Sequence, residues 1–220
     1  MPREGPGVTT SRIVVGISGA SGALYARGLV RALVGLGREV HLTASAPGLR
    51  LLHDELGMEG LDAGALAGLP EGADPRDHGV FVHPWRDIGA SIASGSFLHD
   101  GMAVIPCSGN TLGAIAAGLG ENLLTRAAQV CLKERRPLVL VHRESPLTLI
   151  DIENMRRVTE AGAIVAPANP GLYFLPTTVE EIVDFVVAKT LDLLRIEHDL
   201  APRWGEGTVR IRSRRGSPER

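Results

Sequence analysis

Two cysteines in 220 residues are too few for a disulfide framework. Cys107 and Cys131 each fall inside an otherwise apolar element, which reads as two buried, reduced thiols in a cytosolic protein. Charge of one sign is equally short. Against 25 acidic side chains stand 23 basic ones, for a formal net charge of −2, so no overall bias draws the chain to nucleic acid or an anionic membrane. No apolar run approaches the roughly 18 residues of a membrane span, and Met1 to Ser11 lacks the apolar core of a signal peptide. The expectation is a soluble chain with no targeting segment. Paired carboxylates and histidine clusters of the kind that hold a metal are missing as well. His78 and His83, five apart, make a poor helical pair, and all seven histidines are expected to be non-ligands. There is no internal repeat.

What is there suits one compact domain: 44% hydrophobic and 22% charged residues can bury a sizeable core. Short β-branched runs alternate with longer helical patterns. RIVVGIS (12–18), EVHLTAS (39–45), GVFVH (79–83), MAVIPCS (102–108), PLVLVHR (137–143) and AIVAP (163–167) read as strands, and the continuous apolar runs suit parallel strands covered on both faces. Helix patterns fall at 22–36, through about 56, and at 110–118, 122–135, 151–161 and 179–194, the last opened by Thr177 and Thr178 as cap candidates. Residues 57–79 read as a loose connection. The βαβαβ order predicts an α/β fold: a flavodoxin-like or Rossmann-like doubly wound parallel sheet in a single three-layer domain over residues 12–204. Residues 1–11 are expected to be a flexible N-terminus and 205–220, with five arginines, a basic mobile tail.

In such a sheet ligands sit beyond the carboxyl ends of the strands. The residues there are rich in small hydroxyls. After the first strand comes SGASGA (18–23), whose glycines permit a tight turn and whose amides and Ser21 hydroxyl point to a helix N-terminus, an anion site. Its spacing is not the GxGxxG of dinucleotide sites, and no acidic residue near the end of the second strand awaits a ribose. Ser45 follows that second strand; Ser108, Asn110 and Thr111 follow the fourth. Three serine-bearing loops suggest a phosphate held by neutral donors, as in flavodoxin-like FMN sites. A cationic cluster adds Lys133, Arg135 and Arg136 at a helix end, with Arg143 and Glu144 beyond the next strand. Arg126, seven residues before Lys133, can share its helix face. Lys133 also fits a plain helix C-terminal cation.

The motifs GISGASGA, SIASGSF, PCSGNTL, LTRAAQVCLKERRPLVLVHRESPL, NPGLYFLP and PRWGEG, in this order, resemble the UbiX-type flavin prenyltransferases over residues 12–207. The resemblance implies transfer of a dimethylallyl group from dimethylallyl monophosphate to N5 and C6 of reduced FMN. The product, prenylated FMN, would serve UbiD-type decarboxylases. It also implies no metal, no nucleic-acid or membrane partner, and a homo-oligomer, typically a dodecamer, with sites at subunit boundaries. Carried over by motif position, Gly19, Ala20, Ser21, Ser45, Ser108, Gly109, Asn110, Thr111 and Arg143 would bind FMN. Ser21 would lie near the flavin N5 with Glu55 behind it as a proton relay. Lys133, Arg143, Glu144, Tyr173 and Lys189 would surround the prenyl phosphate, with Arg126 nearby and an aromatic such as Trp204 sheltering an allylic cation; Trp204 equally fits an anchor packing the chain end onto a neighbouring subunit.

ASAPG (44–48) stands where SKAA is commoner in the family, and Lys189 where many members have Arg. Two other readings stand beside this one. An FMN-dependent cysteine-decarboxylase type would carry a PASANT-like strand end and a catalytic His after its Gly/Ser loop, whereas here the strand end reads PCSGNT and SIASGSF has no such His. A non-catalytic FMN carrier would have no use for Lys133, Glu144 and Tyr173 together.

Overall fold

The structure, a computed structural model, describes residues 11–200. Six strands, β1 (Arg12–Ile17), β2 (Glu39–Ala44), β3 (Val80–Val82), β4 (Gly101–Cys107), β5 (Leu138–His142) and β6 (Ile164–Val165), form one sheet in the order β3-β2-β1-β4-β5-β6. Every pairing is parallel. The helices are α1 (Ala23–Gly35), α2 (Ala46–Leu56), α3 (Ala63–Ala67), α4 (Gly109–Ala116), α5 (Leu123–Lys133), α6 (Leu149–Glu160) and α7 (Val179–Leu193). This is the expected doubly wound α/β architecture. Its chain reverses direction of winding between β1 and β4, the place where such sheets open a crevice.

Alternation along the strands builds two cores. Ile13, Val15 and Ile17 of β1, with Val139 and Val141 of β5, face α1, α2, α3 and α7. Val14, Met102, Val104, Leu138 and Leu140 face α4, α5 and α6. Gly16 allows α5 onto the second face, since a Cβ there would lie 2.9 Å from Leu124 Cγ. On the same face lies a polar chain: Arg12 Nε bonds Glu39 at 2.7 Å, Glu39 bonds His41 Nε2 at 2.8 Å, and His41 Nδ1 meets His83 Nε2 at 2.9 Å. Burial works against the Glu39 carboxylate, yet its bonds from His41 and Arg12 hold its pKa below the usual value.

Two expectations are corrected. The stretch 57–79 is not all loose connection: Asp62 caps α3 by accepting from Ala65 N, Gly68 closes it with φ 72°, and Pro75–His78 forms a 3₁₀ turn. The last strand is two residues long rather than five: beyond Val165 the chain still bonds inward to β5, from Ala166 N to Leu140 O and from Ala168 N to His142 O, while Pro167 has no N–H to offer. Cys107 and Cys131 are buried and free, and burial pushes both thiols up to about 12. No helix among the described residues is long and apolar enough to cross a membrane.

His99, 8% exposed, donates Nδ1–H to the Gly101 carbonyl at 3.1 Å, and burial pushes its imidazole down to about 4. The unfolded chain therefore takes up a proton near the ordinary value of 6.5 that the folded chain refuses until about 4, so stability falls as pH drops through that window. His41 and His83 are lowered in the same sense. Urea unfolding at several pH values should show the midpoint falling on acidification, and His99→Asn, which keeps a donor and does not titrate, should lose less. An equal loss in the variant would clear His99 of this role.

Candidate functional site

Four loops meet at the carboxyl edge of the sheet. Ser18, fully buried, holds two of them together: its Oγ donates to Pro106 O at 2.9 Å and accepts from Ser108 N at 2.8 Å. That clamp spans the gap between β1 and β4. Beyond it Gly19 and Ser21 stand exposed, and their amide N–H groups have no acceptor among the described residues. Position 19 lies against Pro47, where a Cβ would collide with the proline ring. Gly48, in the first turn of α2, sits so close to the Ile17 carbonyl that no side chain fits. The ASAPG sequence is therefore the surface on which the β1 loop rests.

Ser45 caps α2, accepting from Gly48 N at 3.1 Å, and Ser108 caps α4, accepting from Thr111 N and donating to Thr111 Oγ1. Each hydroxyl oxygen retains capacity toward a ligand: the Ser45 and Thr111 protons remain to be donated. Asn110 is exposed, its side chain unbonded among the described residues. Arg143 is tied by its backbone N to Cys107 O at 3.1 Å, which brings the β5 loop beside the β4 loop. Glu144 and Asp151 converge on the start of α4; a Cβ on Gly109 would lie 3.7 Å from Glu144 Oε2 and 3.3 Å from Asp151 Oδ1.

Glu55 is where the sequence placed it, behind the β1 loop, but its bonds change the reading of that loop. Its carboxylate accepts from Gly22 N at 3.1 and 3.2 Å and from Ala23 N at 2.8 Å. The α1 N-terminus is thus not an open anion site: a carboxylate of the chain itself takes two of its free amides. Gly22, at φ 134°, makes the turn and lies under the Tyr25 ring. Tyr25 was not singled out from sequence. Burial raises its pKa, Glu55 adds to this, and the Arg143 charge partly offsets both, which puts all three in one electrostatic neighbourhood. Its only signal in the sequence was its place one turn after Ser21. Asp151 was missed for the same kind of reason, reading as a helix-capping residue, which it also is: bonds from Thr148 hold its pKa down.

The cationic cluster is not assembled within one chain. α5 runs antiparallel to the strands: Leu124 lies over Gly16 near the carboxyl end of β1, while Lys133 lies by Gly95 and Arg136 donates to Phe97 O and Gly95 O just before β4. Lys133 is therefore at the amino edge, paired with Glu134 at 2.7 Å. β4, seven residues long, separates it from Glu144 by about 20 Å of strand. Arg126 is exposed in the first half of α5, about 10 Å up the helix from Lys133. Tyr173 packs edge-on to Phe174 and Phe185, and Lys189 is exposed one turn beyond Phe185 on α7. Trp204 lies outside the described residues. No group of three or more His, Cys, Asp or Glu suited to a metal occurs among the described residues.

This geometry, hydroxyl and amide donors around a switch-point crevice with Arg143 and the Glu144 carboxylate beside them, has counterparts among known proteins. A profile described as Flavoprotein matches residues 6–191. The flavin prenyltransferase UbiX of Halalkalibacterium halodurans is 45% identical over 192 residues, covering 87% of this chain and 92% of that protein. A crystal structure of AnUbiX in complex with FMN and dimethylallyl pyrophosphate aligns with a TM-score of 0.76 at 37% identity, over 88% of this chain and all of that one. A dodecameric FMN-dependent UbiX-like decarboxylase from Escherichia coli O157:H7 aligns with a TM-score of 0.78 at 41% identity, over 88% of this chain and 98% of that one. On identity and coverage together, the chain belongs to the flavoprotein family and, within it, to the UbiX-type flavin prenyltransferases.

Proposed function

We propose that the chain is a flavin prenyltransferase that joins a dimethylallyl group from dimethylallyl monophosphate to reduced FMN. The observation that carries this reading is the convergence of the β1, β2, β4 and β5 loops on one crevice in a chain with family identity of this extent. The donor set fits a flavin monophosphate: free amides at Gly19 and Ser21, hydroxyls at Ser45 and at Thr111, which Ser108 holds in place, the Asn110 amide, and the Arg143 guanidinium. Reduced FMN, when bound, supplies the nucleophilic edge of the isoalloxazine. Ser21 is exposed on the loop that Glu55 braces, and by its motif position its hydroxyl would face that edge. Glu55 holds the loop in place through Gly22 and Ala23 and offers a carboxylate one residue from Ser21 to take or return a proton.

The prenyl phosphate needs cations, because the allylic C–O bond breaks with its electron pair passing to phosphate. Arg143 supplies one and Glu144 a carboxyl that can hand a proton to the departing phosphate. Lys133 supplies a second only from a neighbouring copy, since within one chain it is at the opposite edge. Tyr173, Lys189 and Arg126 belong to the same shared boundary on this reading. Exposed apolar side chains next to the crevice, Leu149 and Ile150 at 72% and 73%, suit burial against such a copy. A homo-oligomer of dodecamer type, a UbiD-type decarboxylase as recipient of prenylated FMN, and a cytoplasmic location complete the proposal.

Anaerobic incubation with reduced FMN and dimethylallyl monophosphate, followed by mass spectrometry of the extracted flavin, should show the gain of one C5H8 unit. Flavin bound but returned unchanged would favour a carrier. Glu144→Gln and Lys133→Ala should each keep FMN and lose turnover by about a hundredfold. Co-assembled from equal amounts, the two variants should recover roughly a quarter of parental activity, the share of boundaries that pair an intact Lys133 with an intact Glu144. No recovery would place both groups on one chain's own site and overturn the shared boundary.

A further inference from the structure

His142 is the last residue of β5, 2% exposed, and no step above uses it. Its Nδ1 lies 2.9 Å from the Cys107 carbonyl. A carbonyl only accepts, so the proton sits on Nδ1, and Nε2 is left as a buried nitrogen with no partner among the described residues. It continues the strand face of Leu138 and Leu140, which packs with residues of α4 and α6, and it is near enough to Asp151 of α6 to act on that carboxylate electrostatically. Packing alone would be served better by leucine, because an unpaired buried polar atom is costly. What the imidazole supplies is a bond at a place where the ladder fails: the β4–β5 register shifts between Val104 and Cys107.

That bond belongs to a longer brace. Cys107 O also accepts from Arg143 N at 3.1 Å, and the same peptide's N–H, on Ser108, donates to Ser18 Oγ at 2.8 Å, which in turn donates to Pro106 O. One peptide is therefore held from β5 on its carbonyl side and from β1 on its amide side. It is the peptide that carries Ser108, and its donors carry Arg143. We propose that His142 is a positioning residue for flavin binding, which fixes the Cys107–Ser108 peptide through Nδ1–H and so sets the spacing of Ser108, Arg143 and the β1 loop. This rests on the flavin reading above. It assigns His142 no contact with the flavin.

Asn and Gln separate the two ring nitrogens, since the Asn side-chain amide reaches the position of Nδ1 and the Gln amide that of Nε2. FMN titration by fluorescence quenching should find His142→Gln weakened about fivefold and His142→Asn within about twofold of the parent chain. Rescue by His142→Asn, which keeps a donor at the Nδ1 position, is the readout that a merely structural loss of the imidazole would not give. Parental affinity in His142→Gln, or equal weakening in both variants, would overturn the proposal. A parent chain that binds no FMN would overturn the flavin reading and this inference with it, which the same titration distinguishes. If His142→Gln does not fold, solid-state NMR of the ¹⁵N-histidine-labelled parent decides, with His142 assigned as the signal missing in His142→Asn: an Nδ1–H tautomer supports the brace and an Nε2–H tautomer ends it.

Discussion

The Ser18 hydroxyl, buried between two strands that have begun to diverge, is the contact on which the ligand edge depends. At β1 and β4 the winding of the chain changes direction, and the two loops that leave the gap are joined across it by the Ser18 N–H bond to Pro106 O at 3.2 Å and by the Ser18 hydroxyl. One oxygen that donates to Pro106 O and accepts from Ser108 N closes it at its floor. The crevice above can then be lined by backbone amides and hydroxyls held at fixed spacing. Gly48 pressed on the Ile17 carbonyl and Pro47 on Gly19 extend the same constraint to the β2 loop.

Electrostatics at this edge are arranged around helix N-termini, and the chain fills one of them itself. Glu55 takes the amides of Gly22 and Ala23, leaving Gly19 and Ser21 as the amides available to a ligand. Ser45 and Ser108 satisfy the starts of α2 and α4 with neutral caps, Ser45 keeping its own proton to offer and Ser108 passing that part to Thr111. Neutral donors and Arg143 favour a ligand with a phosphate at one end, while Glu55, Glu144 and Asp151 stand beside the same donors, at Gly22 and at the start of α4. The carboxylates are thus better placed for proton transfer than for holding an anion.

The fold was legible because several of its strands, such as MAVIPCS, PLVLVHR and AIVAP, are continuous apolar runs that stop at polar or proline residues, a pattern that suits a doubly covered parallel sheet. α3 was not, since five residues show no helical period, and its evidence is confined to the Asp62 cap and Gly68. The serine-bearing loops were legible from their position after strands. Lys133 was read into one cluster with Arg143 and Glu144 because only ten residues separate it from Arg143; the intervening strand carries the chain from one edge of the sheet to the other. Sequence proximity across a buried strand means spatial opposition. His142 read as the polar end of a strand, and only its bond to Cys107 gives it a role.

That opposition also bears on why a small domain of this kind would act as an assembly. Each chain has a donor-lined crevice with one arginine at its carboxyl edge and basic residues Lys133, Arg135 and Arg136 at its amino edge. Neither edge alone neutralises a phosphate ester as it leaves, and a single chain cannot fold one onto the other. On the proposed reading, the amino edge of one copy set against the crevice of another would supply the charge and cover exposed apolar side chains such as Leu149 and Ile150 in the same step. The same contact would remove water from the place where an allylic cation must survive long enough to meet the flavin. On the proposed reading, assembly is therefore part of the chemistry: the cation count and the dryness of the site arise together, from one interface.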